Sequence, residues 1–314
     1  MTSMPQVRVP ASRGGRLSLA QRAQRVRRAR RARRGGDGWA AALCLAPALT
    51  VIGLFVVYPI VATGRLSLTT WDGASPEQVF AGLANYVRMA GDPEFRNSLL
   101  VTVLYGLGVT VLGVASGLGL AVLLNAPLRG LALYRGIFFL PVVTSSIAVA
   151  TVWKYLFGQD GPMGGLTGLN WLGDPYLALL SLTLLTVWKQ LGLNVVLYLT
   201  ALQAIPPQLY EAAALDGAGG WQRLRRITVP LLAPMTFFVI IEGLIATFQG
   251  FDLVYALTQG GPLGGTEVLG FLVYRTAFSS GEFGYAATIA YAGFALVFGL
   301  SWLQWRLGGR SQWS

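Results

Sequence analysis

Polar side chains recur inside two long apolar segments of the chain, and two of them are ionisable. Lys189 lies about 15 residues, or roughly 22 Å, into the first segment, and Glu242 lies about 12 residues, or roughly 18 Å, into the second from the opposite side. A charged residue within a bilayer costs roughly 2.5 to 3.5 kcal/mol, so such residues pair or face a polar cavity. We therefore expect Lys189 and Glu242 to pair across adjacent antiparallel helices, or one of them to line a polar path. Further polar or small residues follow at three-to-four spacing: Thr186, Gln190 and Asn194, then Gly243, Thr247 and Gly250.

The remaining composition excludes most catalytic chemistry. The chain has no histidine and a single cysteine, Cys44, which removes histidine-based triads, histidine zinc sites and cysteine metal clusters. Its two lysines, Lys154 and Lys189, are followed by Tyr and Gln, so there is no Gly-Lys-Ser/Thr phosphate loop. We expect no catalytic residue and no metal site, and any ATP must be hydrolysed by another chain.

Long apolar segments must position these polar residues. Hydrophobic residues make up 54% of the 314-residue chain and charged ones 12%, which is typical of a membrane protein. Since a helix needs roughly 20 apolar residues to cross a bilayer, the sequence predicts an all-α integral membrane protein with six spans. Gly113 and Gly117 predict close helix packing in the second of them. The spans run about 39–63, 98–124, 137–157, 176–204, 230–257 and 284–305.

Positive charge is concentrated at the N-terminus. Eleven arginines and no acidic residue fall within residues 1–34, so we interpret residues 1–37 as a largely disordered cytoplasmic tail that sets topology, rather than a nucleic-acid-binding arm. Residues 38–308 then form the transmembrane domain. With the N-terminus inside, 18 Lys and Arg residues lie on the inner side, against four in the outer segments: Arg65, Arg88, Arg96 and Arg275. This bias predicts that both termini are cytoplasmic.

The loop between the fourth and fifth spans, residues 205–230, is polar and has an ordered pattern. Proline suits the first turn of a helix, so a short helix is predicted from Pro207 to about Leu215. Gly217, Gly219 and Gly220 permit a turn that residues with a Cβ resist. A second short helix, Trp221 to Thr228, follows, and Pro230 is expected to start the fifth span. The loop is thus predicted to be a helix–turn–helix elbow at the cytoplasmic surface.

Within this elbow, Glu211-Ala212-Ala213 is followed after three residues by Gly217, and after nine more by Ile227-x-Val229-Pro230. This spacing resembles the EAA motif of bacterial binding-protein-dependent ABC importer permeases, with valine where leucine is usual. Flanking residues resemble the carbohydrate-uptake branch, similar to maltose- and glycerol-phosphate-type permeases, over about residues 40–305. These are Gly82-Leu83-Ala84-Asn85-Tyr86, Trp153-Lys154, Leu202-Gln203-Ala204-Ile205-Pro206, Asp216-Gly217-Ala218, Pro230-Leu231-Leu232-Ala233-Pro234, Thr258-Gln259-Gly260-Gly261-Pro262 and Tyr274-Arg275-x-Ala277-Phe278.

The resemblance implies a type I ABC importer permease fold in a bacterial cytoplasmic membrane. The loop would be a coupling helix seated in a cleft of an ATPase subunit, which itself binds ATP and Mg²⁺, so this chain needs no cofactor. The implied partners are a second permease subunit, two ATP-binding cassette subunits, an extracytoplasmic solute-binding protein and membrane lipids. The implied coupling residues are Glu211, Ala212, Ala213, Asp216, Gly217, Ile227 and Pro230.

The resemblance also implies a sugar or sugar-like cargo, because permeases of this kind contact sugar from the fourth and fifth spans. Sugars require fixed hydrogen-bonding side chains, which favours Gln190, Asn194, Thr247 and Gln249, although Thr and Gly residues also serve helix packing. Asp252 is expected near the outer surface. The implied substrate path is Lys189, Gln190, Asn194, Glu242, Gly243, Thr247 and Gln249.

Two other classes of protein are alternatives. A stand-alone secondary transporter coupled to protons needs a relay of carboxylates or histidines in its spans, and this chain offers Glu242 and Asp252 at most. An intramembrane hydrolase needs a nucleophile and a base, but the chain has neither histidine nor a Gly-x-Ser-x-Gly motif. An importer permease driven by a separate ATPase is the preferred interpretation.

Overall fold

The computed structural model describes residues 42–125 and 131–308, apart from a few side chains within the helices. The predicted N-terminal tail, residues 1–37, lies outside the described residues. The chain divides into two compact units, one up to Ala62 and one from Thr63 onward. The first unit contains most of helix α1, Ala42–Leu66, which includes a π-helical turn at Gly53–Val57.

The second unit is mainly helical and holds one short antiparallel hairpin, in which β1 (Thr69–Thr70) pairs with β2 (Val79–Phe80). Asp92 and Asp174 begin two of its long helices, because their carboxylates accept hydrogen bonds from backbone N–H groups of the first turn. The helices are α2 (Ala84–Gly91), α3 (Pro93–Leu124), α4 (Leu131–Val143), α5 (Ser146–Phe157), α6 (Pro162–Thr167), α7 (Pro175–Gln203), α8 (Pro207–Leu215), α9 (Gly220–Leu231), α10 (Ala233–Gln249), α11 (Phe251–Leu257), α12 (Leu269–Tyr274) and α13 (Phe283–Gly308).

Among the described residues, four helices are long and apolar enough to cross a membrane singly: Ala42–Leu66, Pro93–Leu124, Pro175–Gln203 and Phe283–Gln304. Two further candidates are bent pairs, Gly136–Val143 with Ser146–Thr167 and Gly220–Leu231 with Ala233–Phe248. If each bent pair is one span, the total is the six that the sequence predicts. The third and fifth spans are therefore each bent between two helices.

The third span is broken by 105° between α4 and α5. Pro141 lies near the end of α4, and the backbone N–H and hydroxyl of Thr144 both donate to its carbonyl, at 3.3 and 2.6 Å. These bonds close the last turn tightly, and Ser145 then takes an extended conformation before α5 begins. The span predicted over 137–157 therefore consists of two helices rather than one.

The fifth span does not start at Pro230. Pro230 lies within α9, directly after a π-helical turn at Leu224–Thr228, where the missing N–H of proline is tolerated because carbonyl pairing is already shifted by one residue. The bend, of 66°, falls at Leu232, and Pro234 occupies the first turn of α10. Proline inside a continuing helix would clash with the carbonyl four residues earlier, so Pro234 sets the start of α10.

Helices α3 and α7 form the centre of the second unit. Near one end of these helices, buried Tyr105 packs against Leu182 and Leu185. Near the other end, Ala121 and Tyr198 belong to a second buried apolar cluster. The predicted close packing at Gly113 and Gly117 is confirmed: a Cβ at Gly117 would lie 2.8 Å from the Cβ of Asn194.

Candidate coupling loop and solute cavity

The first helix of the elbow, α8, ends in a hydrogen-bonded turn that depends on Gly217. The N–H of Ala218 donates to the carbonyl of Ala213 at 2.9 Å, and that of Gly217 to Ala214 at 3.1 Å, which is the Schellman pattern. Gly217 has a φ of +77°, a conformation that residues with a Cβ resist. The predicted helix from Pro207 to Leu215 and the glycine turn after it are confirmed.

A hydrogen bond joins the two helices of the elbow. The hydroxyls of Tyr210 on α8 and Thr228 on α9 are 3.0 Å apart, and Thr228 is buried. At the start of α9 the amide oxygen of Gln222 accepts from the N–H of Gly219 at 3.2 Å. The predicted second helix, 221–228, is confirmed and extends to Leu231. Sequence reasoning missed Tyr210 and Thr228, since a lone Tyr and Thr 18 residues apart carry no signal of contact.

The elbow presents an exposed surface made of small, apolar and charged side chains. Of the coupling residues implied by the sequence, Ala213 and Ile227 are half-buried and five are exposed: Glu211, Ala212, Asp216, Gly217 and Pro230. Beside them, Leu215 is 91% exposed and Trp221 is 72% exposed. Large apolar side chains so exposed in one polar loop are typical of a surface that a partner covers.

A cavity of about 250 Å³ lies among the third, fourth and fifth spans. Lys189, Gln190 and Glu242 all line it, together with Asp252 at the start of α11. The wall is completed by Val142, Ser146, Thr186, Leu193, Ala246, Gly250 and Leu253. Polar groups on an otherwise apolar wall can orient a small polar solute by hydrogen bonds.

Lys189 and Glu242 form no direct ion pair, which corrects one of the two expectations for them. The ammonium of Lys189 instead donates to the backbone carbonyl of Thr144 at 3.0 Å, at the break between α4 and α5. The α4 terminus carries the negative end of the helix dipole, so a cation is favoured there. Oε2 of Glu242 is buried and has no hydrogen-bond partner among the described residues.

Three other residues expected on the substrate path, Asn194, Gly243 and Thr247, lie outside this cavity, within helix–helix contacts. Asn194 is buried against Gly113, whose carbonyl lies 3.5 Å from its amide nitrogen. Thr247 is fully buried and donates to the carbonyl of Gly243, one turn earlier in α10. Asn194 on α7 and Thr247 on α10 lie on helix faces that point toward α3 rather than toward the cavity. The side chain of Gln249 lies outside the described residues.

The third span contributes cavity residues that sequence reasoning missed. Val142 and Ser146 line the cavity from either side of the break, and Thr144 holds Lys189. Tyr105 lies behind the wall, 2.6 Å from the hydroxyl of Thr186; since that hydroxyl donates to Leu182, Tyr105 is the donor. The three polar residues Thr144-Ser145-Ser146 interrupt an apolar segment shortly after Pro141, and this pattern could have indicated a polar site in the third span.

At the end of the spans opposite the elbow, Arg275 joins two carboxylates. Its guanidinium lies 2.6 Å from Glu94 at the start of α3 and 3.1 Å from Glu267 in the loop before α12. Burial raises the pKa of Glu267, while the charge of Arg275 opposes that rise. A second pair, Arg88 with Glu282 at 2.9 Å, is more exposed. Across the described residues, no group of three or more His, Cys, Asp or Glu side chains could hold a metal ion.

The sequence profile described as "Binding-protein-dependent transport system inner membrane component" matches residues 110–307. The chain therefore belongs to this family. It is a multi-pass inner membrane protein and the non-catalytic permease subunit of a binding-protein-dependent ABC importer. The stand-alone transporter and the hydrolase considered from the sequence are thereby set aside.

Individual relatives share most of their length with this chain. It is 38% identical over 273 residues to the probable ABC transporter permease protein YurN of Bacillus subtilis, covering 83% of this chain and 93% of that protein. It is 37% identical over 280 residues to the lactose transport system permease protein LacF of Rhizobium radiobacter, covering 85% and 92%. The trehalose/maltose transport system permease protein MalF of Thermococcus litoralis is 33% identical over 273 residues, covering 85% and 92%.

A solved structure has the same fold. The crystal structure of a bacterial ABC transporter involved in the import of the acidic polysaccharide alginate contains a chain that superimposes with a TM-score of 0.77. The alignment covers 90% of this chain and 99% of that one, at 19% sequence identity. The all-α importer permease fold predicted from the sequence is confirmed.

Proposed function

We propose that this permease imports a sugar or sugar-like solute and takes up the force for transport through the elbow of residues 205–230. The observation that carries this proposal is the exposed elbow surface, in which a small-residue helix, a glycine turn and two large apolar side chains are accessible within one short loop. Glu211, Ala212, Ala213, Asp216, Gly217, Ile227 and Pro230 would contact or shape the contact with an ATPase subunit.

The geometry of the elbow supports transmission of force. The Schellman turn and the bond between Tyr210 and Thr228 hold α8 and α9 at a fixed angle. Helix α9 then runs to the bend at Leu232, a buried residue directly before α10. A displacement of α8 by a bound ATPase subunit would therefore move α10, which carries Glu242 in the wall of the cavity.

Two observations support a sugar as cargo. Relatives of this chain are named for lactose and for trehalose/maltose transport. In this chain the cavity offers an ammonium, an amide and two carboxylates, which donate to and accept from hydroxyl groups. We assign solute contact to Lys189, Gln190 and Glu242, and retain Gln249 as a prediction. Asn194, Gly243 and Thr247 set the distance between the helices behind the wall.

Membership of the family supports a larger assembly around this chain. We propose that both termini are cytoplasmic, because Lys and Arg are concentrated on that side. A second permease subunit, two ATP-binding cassette subunits and an extracytoplasmic solute-binding protein would complete the transporter. ATP and Mg²⁺ would bind to the cassette subunits alone. Residues 1–37 would form a basic tail near anionic lipids, and residues 38–308 the permease domain.

Changing Gly217 to valine tests the coupling role. The φ of +77° makes this substitution strained, so α8 and α9 lose their relative orientation and the ATPase subunits no longer co-purify. Gly220→Ala is the matched control, because Gly220 begins α9 and a Cβ there meets nothing within 4 Å. Normal co-purification and uptake with Gly217→Val, or uptake by this chain alone in vesicles, would contradict the proposal.

A further inference from the structure

A second cavity, of about 460 Å³, lies at the end of the spans opposite the elbow. Tyr255 on α11 and Phe271 and Tyr274 on α12 supply aromatic rings to its wall. Its polar residues include Gln259, Glu267, Arg275 and Ser279, and the backbone of Gly260, Gly261 and Gly264 completes it. Its volume falls within the range of roughly 300 to 1,000 Å³ that is typical of small-molecule sites.

The ring of Tyr255 is exposed and packs against the rings of Phe251 and Tyr274. The rings of Tyr255 and Tyr274 are 5.5 Å apart in an edge-to-face arrangement, and Phe251 packs 4.8 Å from Tyr274. Tyr255 is nevertheless exposed, at 42%. A buried apolar cluster needs no hydroxyl at its surface, whereas tyrosine rings beside a polar cavity offer both a flat apolar face and hydrogen bonds.

The polar side of this cavity is held in place before any ligand arrives. Glu267 is buried and paired with Arg275, whose Nη2 is in turn held by Glu94. These two pairs use Nε and Nη2 of the guanidinium, so its Nη1 atom is not engaged in either. A fixed carboxylate and guanidinium on one wall can accept from and donate to neighbouring hydroxyls of a single ligand.

Helix α11 lies beside both cavities. Asp252 and Leu253 line the smaller one, and Tyr255, one helical turn further along, lines the larger one. A rise of 1.5 Å per residue places Asp252 and Tyr255 only about 4.5 Å apart along the helix axis. The larger cavity is therefore next to the smaller one on the side away from the elbow.

We propose that the larger cavity is an entrance subsite for carbohydrate, where a sugar ring stacks on the exposed ring of Tyr255, which Tyr274 supports edge-to-face, before it moves to the inner cavity. A pyranose presents C–H groups on its faces and hydroxyls around its edge, and the wall of this cavity contains both aromatic rings and fixed charges. The inference rests on the proposed function, because it takes the cargo to be a sugar. This subsite adds a binding step before the sugar reaches the inner cavity.

Saturation-transfer NMR on the complete transporter in nanodiscs tests this subsite, with lactose, maltose and trehalose each as the probe. Uptake of the same sugars is measured in parallel with the binding protein present. The test variant is Tyr255→Leu/Tyr274→Leu. Loss of the stacking face of Tyr255 and of its supporting ring at Tyr274 is expected to weaken the affinity of the imported sugar by about tenfold.

Three further variants separate this effect from unfolding and from the inner cavity. Phe278→Leu is the matched control, because Phe278 is an exposed aromatic residue that contacts Tyr274 but does not line the cavity. Tyr255→Phe/Tyr274→Phe keeps the rings and is expected to keep most of the affinity. Gln190→Ala alters the inner cavity and is expected to leave the tyrosine-dependent signal in place.

The outcomes distinguish the subsite from the cargo class. If the transporter imports a sugar whose affinity is unchanged in the leucine variant, the subsite is overturned and the importer stands. Equal losses in the leucine and phenylalanine variants overturn stacking as the mode of binding. If none of the three sugars is imported or bound, the proposed cargo class fails and the subsite fails with it.

Discussion

The elbow takes its hydrogen bonds from residues that are close in the chain, whereas the solute cavity joins side chains from three separate spans. In the elbow the largest separation, between Tyr210 and Thr228, is 18 residues. At the cavity, Lys189 reaches a carbonyl 45 residues away, and Tyr105 holds Thr186 across 81 residues. The elbow can therefore keep its shape while the spans move. The cavity must change whenever they do, which suits a site that receives and then releases cargo.

Removing the ammonium of Lys189 tests the long-range side of this comparison and has the largest expected effect. Lys189→Met deletes a charged hydrogen bond worth about 1.5 to 3 kcal/mol, so we expect the initial rate of sugar uptake in proteoliposomes to fall roughly ten- to a hundredfold. The ATPase subunits should still co-purify, because the elbow is untouched.

The chain supplies its own control for that variant. Lys154 is the only other lysine and is exposed at the end of α5, so Lys154→Met should leave uptake within about twofold of wild type. Uptake by Lys189→Met at the wild-type rate would show that the bond to Thr144 does not hold the cavity in its working form.

Gly192 tests the packing that brings the third and fourth spans together. A Cβ at this position would overlap the carbonyl oxygen of Phe138 in α4, so Gly192→Ala must displace the helix and should destabilise the permease by about 1 to 3 kcal/mol. The melting temperature of the purified complex measures this. Gly119→Ala in α3 meets nothing within 4 Å and should be neutral or stabilising. Equal melting temperatures for both variants would refute the close contact.

The bond between Tyr210 and Thr228 tests the local side of the comparison. Tyr210→Phe and Thr228→Val each remove one hydroxyl, at about 0.5 to 1.5 kcal/mol. In a double-mutant cycle, the combined effect on the ATP hydrolysed per sugar imported should be smaller than the sum of the two, because both remove the same bond. Additive effects would place the two hydroxyls in independent roles.

The smallest effect is expected at the exposed pair of Arg88 and Glu282. Glu282→Gln should change the stability of the complex by less than about 1 kcal/mol, since an exposed ion pair is screened by solvent. The difference from wild type in melting temperature should shrink further at high ionic strength. A large effect that resists salt would show that this pair belongs to a more buried network at that end of the spans.

Much of the fold followed from local patterns. Four of the six predicted spans appear as single helices, because a long uncharged segment in a bilayer must satisfy its backbone internally as a helix. The helix Pro207–Leu215 and the turn at Gly217 were also predictable, since proline and glycine act on the backbone at their own positions. The bends in the third and fifth spans were not, because carbonyl pairing at Thr144 and at the π-helical turn before Pro230 depends on how the helix end is closed.

The candidate cavity was predictable only in part. Lys189, Gln190 and Glu242 were identified because polar groups in apolar spans are costly, and this cost is visible in the sequence alone. Asn194 and Thr247 satisfied the same spacing but are buried in the contact with α3. A helix has several faces, and which one meets a neighbour is decided by the rotation of the whole helix rather than by any one residue.

The sequence by itself determined that this chain is a mostly helical membrane protein with four to six spans and an ordered elbow, because length, hydropathy and the glycine and proline positions act within one turn or one span. Only the tertiary structure decided which polar residues share a cavity, that Lys189 pairs with a backbone carbonyl rather than with Glu242, and that Tyr255, Tyr274, Glu267 and Arg275 meet at one end. Those contacts join residues that are distant in the chain, and their formation depends on the packing of all the spans together.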